Sequence, residues 1–249
     1  MRRSFPPGPE IHTLELRAFA YFLFTSILCL AVLASFLFLQ RLPFYQHFLP
    51  KTDETPSHTP FSANLRLVRA TGQSILLLVV TIMLLFCITF SVFPSLTAAV
   101  KSMNPASTFP FTALHFVLFN VGDWTGRWIS MVPWLRFSND RIIFSGTLSH
   151  VIFIPLFLLC NTSYSVSIPP LIPTVIGSDA AFFVIVTLFG ISNGYWGSIT
   201  MMAGPQKAID KERAGTVLSF FLVLGMAAGS LVSFAITALS CNCNPFQIR

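Results

Sequence analysis

Two residues of opposite charge, Asp123 and Arg127, lie within a stretch of this chain that is otherwise rich in apolar residues. The chain contains nine acidic residues and fifteen Lys and Arg residues, and these two are the members of that set that fall inside an apolar span. A charge at the centre of a bilayer costs at least ~2.5–3.5 kcal/mol, and such groups usually face a bundle interior or a water-filled cavity. Their placement marks Asp123 and Arg127 as the leading candidates for a functional site.

A helix through this stretch would bring four side chains onto one face. With about 100° of rotation per residue, four positions fall within roughly 60° of one another: Phe116, Asn120, Asp123 and Arg127. Asp123 and Arg127 are four residues apart and can neutralise each other. Two interpretations follow, an ion pair that holds helices together or a polar stripe that lines a substrate pathway, and the pattern favours the pathway.

Composition places these residues in a membrane protein. Hydrophobic residues make up 54% of the 249 residues and charged residues 10%, against about 25% charged in ordinary soluble domains. The apolar runs are continuous rather than alternating, so they indicate membrane-spanning helices and not barrel strands. The predicted fold class is therefore an all-α polytopic membrane protein with about six transmembrane helices.

Apolar runs near the length that crosses a bilayer, about 20 residues, define the organisation of the chain. Six such runs occur, at residues 18–40, 72–100, 110–135, 142–160, 180–203 and 214–238. We predict a polar N-terminal segment (1–17), a first transmembrane helix (18–40), a connector (41–71), a five-helix bundle (72–240) and a tail (241–249).

Basic residues near the helix ends predict the orientation of the chain. Nine fall on the side that contains the connector 41–71, and five fall on the other side. Because Lys and Arg concentrate in cytosolic loops, this connector is predicted to be cytosolic. Asn161, in the sequence Asn161-Thr162-Ser163, then follows the fourth run on the outer face. It is a candidate glycosylation site, and the alternative is a polar helix end.

The residue patterns give no sign of an enzyme or of a nucleic-acid partner. No nucleophile–base pair or metalloprotease motif stands out, and the five His residues are dispersed along the chain. Cys241 and Cys243 offer two metal ligands, which do not make a site. We therefore predict no catalytic residue, no metal and no cofactor. A run of five or more like charges is also missing from the sequence, which argues against nucleic acid.

The segment from Phe119 to Arg127 reads FNxxDxxGR and resembles the signature of the equilibrative nucleoside transporter family, solute carrier family 29. Other segments agree with the family in order: Phe93-Pro94, Pro155-Leu156 through Asn161, Ser192-Asn193-Gly194-Tyr195, and Ala214-Gly215 with the run 220–229. The resemblance covers residues 18–240. It implies the sixth to eleventh spanning helices of the family, the C-terminal bundle of a major-facilitator-like transporter.

The resemblance also implies a function and partners. Members carry nucleosides, with nucleobases as an alternative substrate, by facilitated alternating access, and this chain would represent part of such a carrier. Its partners would be a nucleoside, the lipid bilayer and a missing N-terminal bundle or another transporter chain. The expected location is the plasma membrane, with intracellular membranes as the alternative. The competing hypothesis is a non-transporting membrane fragment or interaction protein that uses the Asp123–Arg127 pair structurally.

Individual roles follow from the same resemblance. Asp123 and Arg127 would bind the ribose hydroxyls, which suits a carboxylate acceptor beside a guanidinium donor. Phe116 and Asn120 lie earlier on the same face, where Phe116 can stack on a base and Asn120 can hydrogen-bond to it; the alternative for Phe116, and the commoner role of an intramembrane Phe, is contact with lipid or packing between helices. A second group is expected near the cavity or in helix packing: Phe93, Pro94, Asn193, Tyr195 and His150. Members commonly carry Arg where this chain has His150, so a titratable residue replaces a fixed positive charge there.

Overall fold

A computed structural model of the chain describes residues 9–43, 45, 61–104, 110–162 and 173–241. Within these ranges every regular element is a helix, and β-structure is limited to two isolated bridges. The chain divides into two units, Met1–His58 and Thr59–Arg249. The all-α fold class predicted from the sequence is confirmed.

In its described part, residues 9–43 and 45, the first unit contains one long helix, α1, over Pro9–Arg41. It begins inside the segment predicted as a polar N-terminus, and its part long and apolar enough to cross a membrane is Ala18–Arg41. The hydroxyls of Thr25 and Ser26 each donate to the carbonyl oxygen four residues earlier, at 2.9 and 2.8 Å. These polar groups therefore need no partner outside the helix, as a lipid environment requires.

The second unit contains eight α-helices among the described residues. Their bounds are Phe61–Ser74 (α2), Leu76–Val92 (α3), Ser95–Ala99 (α4), Phe111–Met131 (α5), Asp140–Ser149 (α6), Phe153–Leu158 (α7), Asp179–Lys207 (α8) and Lys211–Cys241 (α9). Two short 3₁₀ turns, Pro133–Leu135 and His150–Ile152, follow α5 and α6. Residues 61–71 of the predicted connector thus belong to α2, whereas residues 46–60 and 242–249 lie outside the described ranges.

Local sequence signals explain several of these bounds. The side chain of Asn139 accepts a hydrogen bond from the backbone N–H of Arg141 at 2.9 Å and caps the start of α6. Ser178 accepts a longer bond, 3.4 Å, from the N–H of Ala181 at the start of α8. Pro94 ends α3, because a residue before proline avoids helical backbone angles, and Phe93 is extended.

Among the described residues, five helical segments are long and apolar enough to span a membrane: Ala18–Arg41, Leu76–Ala99, Asp140–Leu158, Asp179–Lys207 and Lys211–Ser240. Helix α5 was predicted as a further span but is not among them. It is 21 residues long, about 31 Å at 1.5 Å per residue, so its length suffices. Asn120, Asp123 and Arg127 make its composition more polar than that of the others.

The connectors of the second unit gather at two ends of the bundle. At one end, Lys207 forms an ion pair with Asp140, and the Ser74 Oγ accepts from the backbone N–H of Ile209 at 3.4 Å. At the other end, Ser102 donates to Asp179 at 2.6 Å. The basic connectors that the sequence places on one side of the membrane, apart from the part before α2, therefore lie at one end.

Glycines bring two pairs of helices into close backbone contact. A Cβ at Gly225 or Gly229 of α9 would overlap the carbonyl oxygens of Met83 and Cys87 on α3. These two glycines are spaced as GxxxG, a pattern that lets two helices approach closely. The same geometry recurs between α5 and α8, the helices that carry Asp123 and Asn193.

Candidate functional site

The Asp123–Arg127 pair is formed on α5 and lies at the edge of the bundle. Arg127 Nε donates to Asp123 Oδ2 at 2.8 Å. The Asp123 side chain is 18% exposed and that of Arg127 is 50% exposed. The carboxylate thus faces the protein, whereas half of the Arg side chain remains accessible from outside the bundle.

The second oxygen of Asp123 is bound by the neighbouring helix. Asn193 of α8 donates from Nδ2 to Asp123 Oδ1 at 2.7 Å. This reach is short because Gly194 sits against α5: a Cβ at Gly194 would overlap the Asp123 carbonyl oxygen, and one at Gly126 would overlap that of Ile191. The glycine contact lets the two backbones approach, and the two side chains can then bond directly.

Hydrogen bonds continue from Asn193 into the interior. Thr89 Oγ1 lies 2.8 Å from Asn193 Oδ1 and 3.2 Å from His150 Nε2, and His150 Nδ1 lies 2.9 Å from Ser192 Oγ. Thr89 is 1% exposed, Asn193 4% and His150 0%. We call the set Ser192, His150, Thr89 and Asn193 the relay, in which Ser192 is half-buried and the other three residues are buried.

The imidazole of His150 is fully buried and packs against two aromatic rings. Its ring stacks on Phe189, with centroids 4.5 Å apart and planes 12° apart, and it meets Phe153 edge-on at 5.3 Å. Both ring nitrogens face hydroxyl groups. The sequence left open whether His150 lines a cavity or packs helices, and in the structure it is a packed, hydrogen-bonded interior residue.

Phe116 and Asn120 share the face of α5 that carries the pair but do not join the relay. Asn120 is exposed and its Nδ2 donates to the carbonyl oxygen of Phe116 in its own helix at 2.7 Å. Phe116 meets Phe93 edge-on, with centroids 5.3 Å apart, and Phe93 stacks on Phe119 at 4.0 Å. The structure therefore brings Phe93 and Phe116 together one to two turns from Asp123.

Pro94 and Tyr195 lie apart from the Asp123 carboxylate. Pro94 borders a cavity of about 340 Å³ together with Ser95 and Ser233, whose hydroxyls are 2.5 Å apart. Tyr195 donates to the carbonyl oxygen of Leu135 at 2.6 Å and, with Ser192, lines an open groove of about 700 Å³. Interhelical bonding is the observed role of the Tyr195 hydroxyl.

Asn161 is hydrogen-bonded to the segment that follows α4. Its Nδ2, the atom to which a glycan would be attached, donates to the carbonyl oxygen of Lys101 at 3.1 Å. Lys101 returns a backbone bond of 2.9 Å to the Asn161 carbonyl oxygen. Ser163 of the same motif lies outside the described residues, and glycosylation at Asn161 stays a prediction.

Two features of the site escaped sequence reasoning. Thr89 gives no signal, because a Thr in an apolar helix usually bonds to its own backbone, and Thr89 also lies 2.9 Å from the Leu85 carbonyl oxygen. The glycines that join α5 to α8 do have a signal. Gly122 and Gly126 are spaced as GxxxG, and Gly190 and Gly194 repeat that spacing on the partner helix.

A family model described as nucleoside transporter matches residues 8–238 of the chain. The chain belongs to the nucleoside transporter family. This is a family of transporters rather than enzymes, and the chain is an integral multi-pass membrane protein.

Individual relatives share about a third of their aligned residues with this family member. It is 30% identical to equilibrative nucleoside transporter 1 of Rattus norvegicus over 89% of the chain and 55% of the rat protein. It is 34% identical to equilibrative nucleoside transporter 2 of Homo sapiens over 77% of the chain and 42% of the human protein. Nucleoside transporter 1.2 of Leishmania donovani is 33% identical over 59% of the chain. The chain thus spans about half the length of relatives such as the rat protein.

Proposed function

We propose that this chain forms the C-terminal part of a carrier that moves nucleosides across the plasma membrane by facilitated diffusion. The observation that carries the proposal is the Asp123–Arg127 pair, partly accessible at the edge of the bundle and fixed from behind by Asn193. The names of its relatives, which are nucleoside transporters, support this substrate class.

The bonding capacity left over at the pair suits a vicinal diol. A carboxylate has about four acceptor positions and a guanidinium five N–H donors. Among the described residues, Asp123 accepts two side-chain bonds, and Arg127 uses its Nε. Each ribose hydroxyl can donate one bond and accept others, so two adjacent hydroxyls match a carboxylate beside a free guanidinium edge.

The base would lie towards the start of α5. Phe116 is seven residues before Asp123, a rise of about 10 Å along the helix, which is on the scale of a nucleoside. Phe116 and Phe93 offer aromatic faces and edges there. Asn120 is exposed between them and the pair, and its amide can bond to a nucleobase after release from its own helix.

A carrier of this kind needs a second bundle against which the first can rock. Since the chain covers 55% of the rat relative, we propose that its transport partner is an N-terminal bundle or another transporter chain. The competing function is that of a non-transporting interaction protein. The hydrogen bonds that Asp123 accepts from Asn193 and Arg127 favour this function, because such bonds can hold helices together without a substrate.

Uptake measurements separate these functions. We expect cells that make this chain together with the N-terminal half of rat equilibrative nucleoside transporter 1 to take up labelled uridine or adenosine, and cells that make the chain by itself to take up little. No saturable uptake in the paired cells, with both proteins at the surface, would remove the transport proposal.

Ligand preference tests the role of the pair. Wild-type carrier should favour a nucleoside over its 2′,3′-dideoxy analogue, because the analogue leaves polar groups of the site unmatched. Asp123→Asn should shrink this preference about tenfold at equal abundance, since charged acceptors bind hydroxyls more strongly than neutral ones. Asp140→Asn, at the bundle end, is the matched control and should retain the preference. Retention in both variants would assign the pair a structural role.

A further inference from the structure

We propose, on the basis of the proposed function, that Asn193 is a positioning residue for Asp123 and that Thr89 and His150 set the orientation of the Asn193 amide. Thr89, Asn193 and His150 are all buried, whereas Arg127 is half exposed. These three side chains are therefore less accessible than the Asp123–Arg127 pair, and they support Asp123 from the interior side.

The amide of Asn193 has two possible orientations with opposite consequences. With Nδ2 towards Asp123, it donates to the carboxylate at 2.7 Å. Rotated by half a turn, it would place its carbonyl oxygen against the carboxylate, two acceptors without a proton between them. The contact with Thr89 distinguishes these states, because a hydroxyl that donates at 2.8 Å requires the Asn193 oxygen on its own side.

Thr89 has one hydroxyl proton and three neighbours that could receive it. They are Asn193 Oδ1 at 2.8 Å, the Leu85 carbonyl oxygen at 2.9 Å and His150 Nε2 at 3.2 Å. If Nε2 of His150 carries a hydrogen, it donates to Thr89 and does not compete for that proton. Ser192 then donates to the unprotonated Nδ1 at 2.9 Å. The neutral Nε2–H tautomer thus turns the Thr89 proton away from His150 and leaves Asn193 as its nearest acceptor.

All donors of the relay then point the same way. Thr89 donates to Asn193 and Asn193 to Asp123, and with His150 in the Nε2–H tautomer Ser192 donates to His150 and His150 to Thr89. The relay draws on α3, α8 and the turn after α6, so three parts of the bundle fix the position of one amide. Asp123 is held with one oxygen on Asn193 and one on Arg127, and its remaining acceptor positions are presented in a constant direction.

Thr89 offers a matched pair of variants for the test. Thr89→Val keeps the branched shape and removes the hydroxyl, whereas Thr89→Ser keeps the hydroxyl and removes a methyl group. We expect Thr89→Val to lower the preference for a nucleoside over its 2′,3′-dideoxy analogue about three- to tenfold, the range for one hydrogen bond. The effect should appear in KM for the nucleoside more than in Vmax. Thr89→Ser should stay close to wild type in this ratio.

A spectroscopic measurement reports on the relay without transport. The carboxylate stretching band of Asp123, identified by its loss in Asp123→Asn, can be recorded by difference infrared spectroscopy on the purified chain in detergent. Thr89→Val should shift this band, because a freely rotating Asn193 amide bonds less well to the carboxylate, and Thr89→Ser should not. If Thr89→Val does not accumulate, Thr89→Ala takes its place in the same comparison.

The outcomes separate this inference from the proposed function. A shifted band in Thr89→Val and an unshifted one in Thr89→Ser support the positioning role, even if wild-type protein shows no nucleoside preference and the proposed function fails. An unshifted band and an unchanged preference in Thr89→Val would overturn the positioning role. Equal shifts in both variants would overturn it as well, because the cause would then be packing and not the hydroxyl.

Discussion

Asp123 accepts side-chain hydrogen bonds from Asn193 and Arg127, one on each oxygen. The exposure of Arg127 determines how much folding stability is lost when Asp123 is replaced. Removing one member of a fully buried ion pair costs about 3–5 kcal/mol, because the other charge is left without solvent. The Arg127 side chain is 50% exposed and can turn outwards. Substitutions at Asp123 should therefore disturb ligand selection more than folding, which makes the ligand comparison informative.

Asp210 is a residue whose contribution to stability depends on pH. Its carboxylate accepts from the backbone N–H of Arg213 and of Glu212, both at 3.1 Å, and so caps the start of α9. The backbone N–H of Arg213 and then its guanidinium lower the pKa of Asp210. A lowered pKa in the folded state stabilises the fold above the unfolded value, about 4, and this contribution is lost as the pH falls through the folded pKa.

We predict that Asp210→Ala lowers the Tm of the chain in detergent at neutral pH and that the difference from wild type narrows below about pH 4. Asp210→Asn should lose less stability at neutral pH, because Asn caps helices about as well as Asp. Circular dichroism melts at several pH values measure both effects. A difference between Asp210→Ala and wild type that is the same at every pH would contradict the assignment of the charge.

Glycines allow two pairs of helices to cross closely. Gly194 and Gly126 place α8 against α5, and Gly225 and Gly229 place α9 against α3. In lipid the hydrophobic effect does not drive helices together, so small residues that allow backbone approach and interhelical hydrogen bonds carry more of the association. The Asp123–Asn193 bond depends on such an approach, and site geometry and helix packing are therefore coupled.

Two glycine substitutions should separate crowding from helix propensity. Gly194→Ala would overlap the backbone of α5 at Asp123, and we expect a loss of about 1–3 kcal/mol or more. Gly215→Ala meets nothing within 4 Å and should gain about 0.5–1 kcal/mol, because Ala favours a helix. Thermal melts in detergent measure both changes. Equal stability of the two variants would argue against the tight crossing of α5 and α8.

The connectors of the second unit lie at two opposite ends of its helix bundle. Lys207 joins the segment after α5 to the end of α8, and Ser74 joins α2 to the same region. Arg136, Arg141, Lys207, Lys211 and Arg213 therefore share one end of the bundle, while Lys101 lies at the other end, where Asp179 and Ser102 meet. Positive residues on cytosolic loops then assign a side of the membrane to each end.

We predict that the end with Lys207 is cytosolic. Gln206→Cys and Thr174→Cys, both exposed and at opposite ends, can be made in a chain whose native cysteines are replaced. A membrane-impermeant thiol reagent should label Thr174→Cys in intact cells and Gln206→Cys after permeabilisation. Ser57→Cys, outside the described residues, should behave like Gln206→Cys. The opposite labelling pattern would contradict the predicted orientation and place the Lys207 end outside the cell.

The sequence determined the helical class, the approximate spans and the Asp123–Arg127 pair. Continuous apolar runs admit helices in lipid, because every backbone group must be satisfied within the segment. The pair lies four residues apart, so helical geometry by itself brings its members together. The apolar runs of the sequence did not predict that α2 extends into the connector, because Phe61–Ser74 is too polar to count as a membrane span.

Only the tertiary structure decided which residues meet the pair from other helices. Asn193 and Asp123 are 70 positions apart, and Thr89 and His150 are 61 apart. Helical periodicity tells which residues share a face but not how that face is rotated towards a neighbour or how near the neighbour lies. Glycine contacts between backbones and hydrogen bonds between side chains fix both, because they form only when helices from distant parts of the chain are packed together.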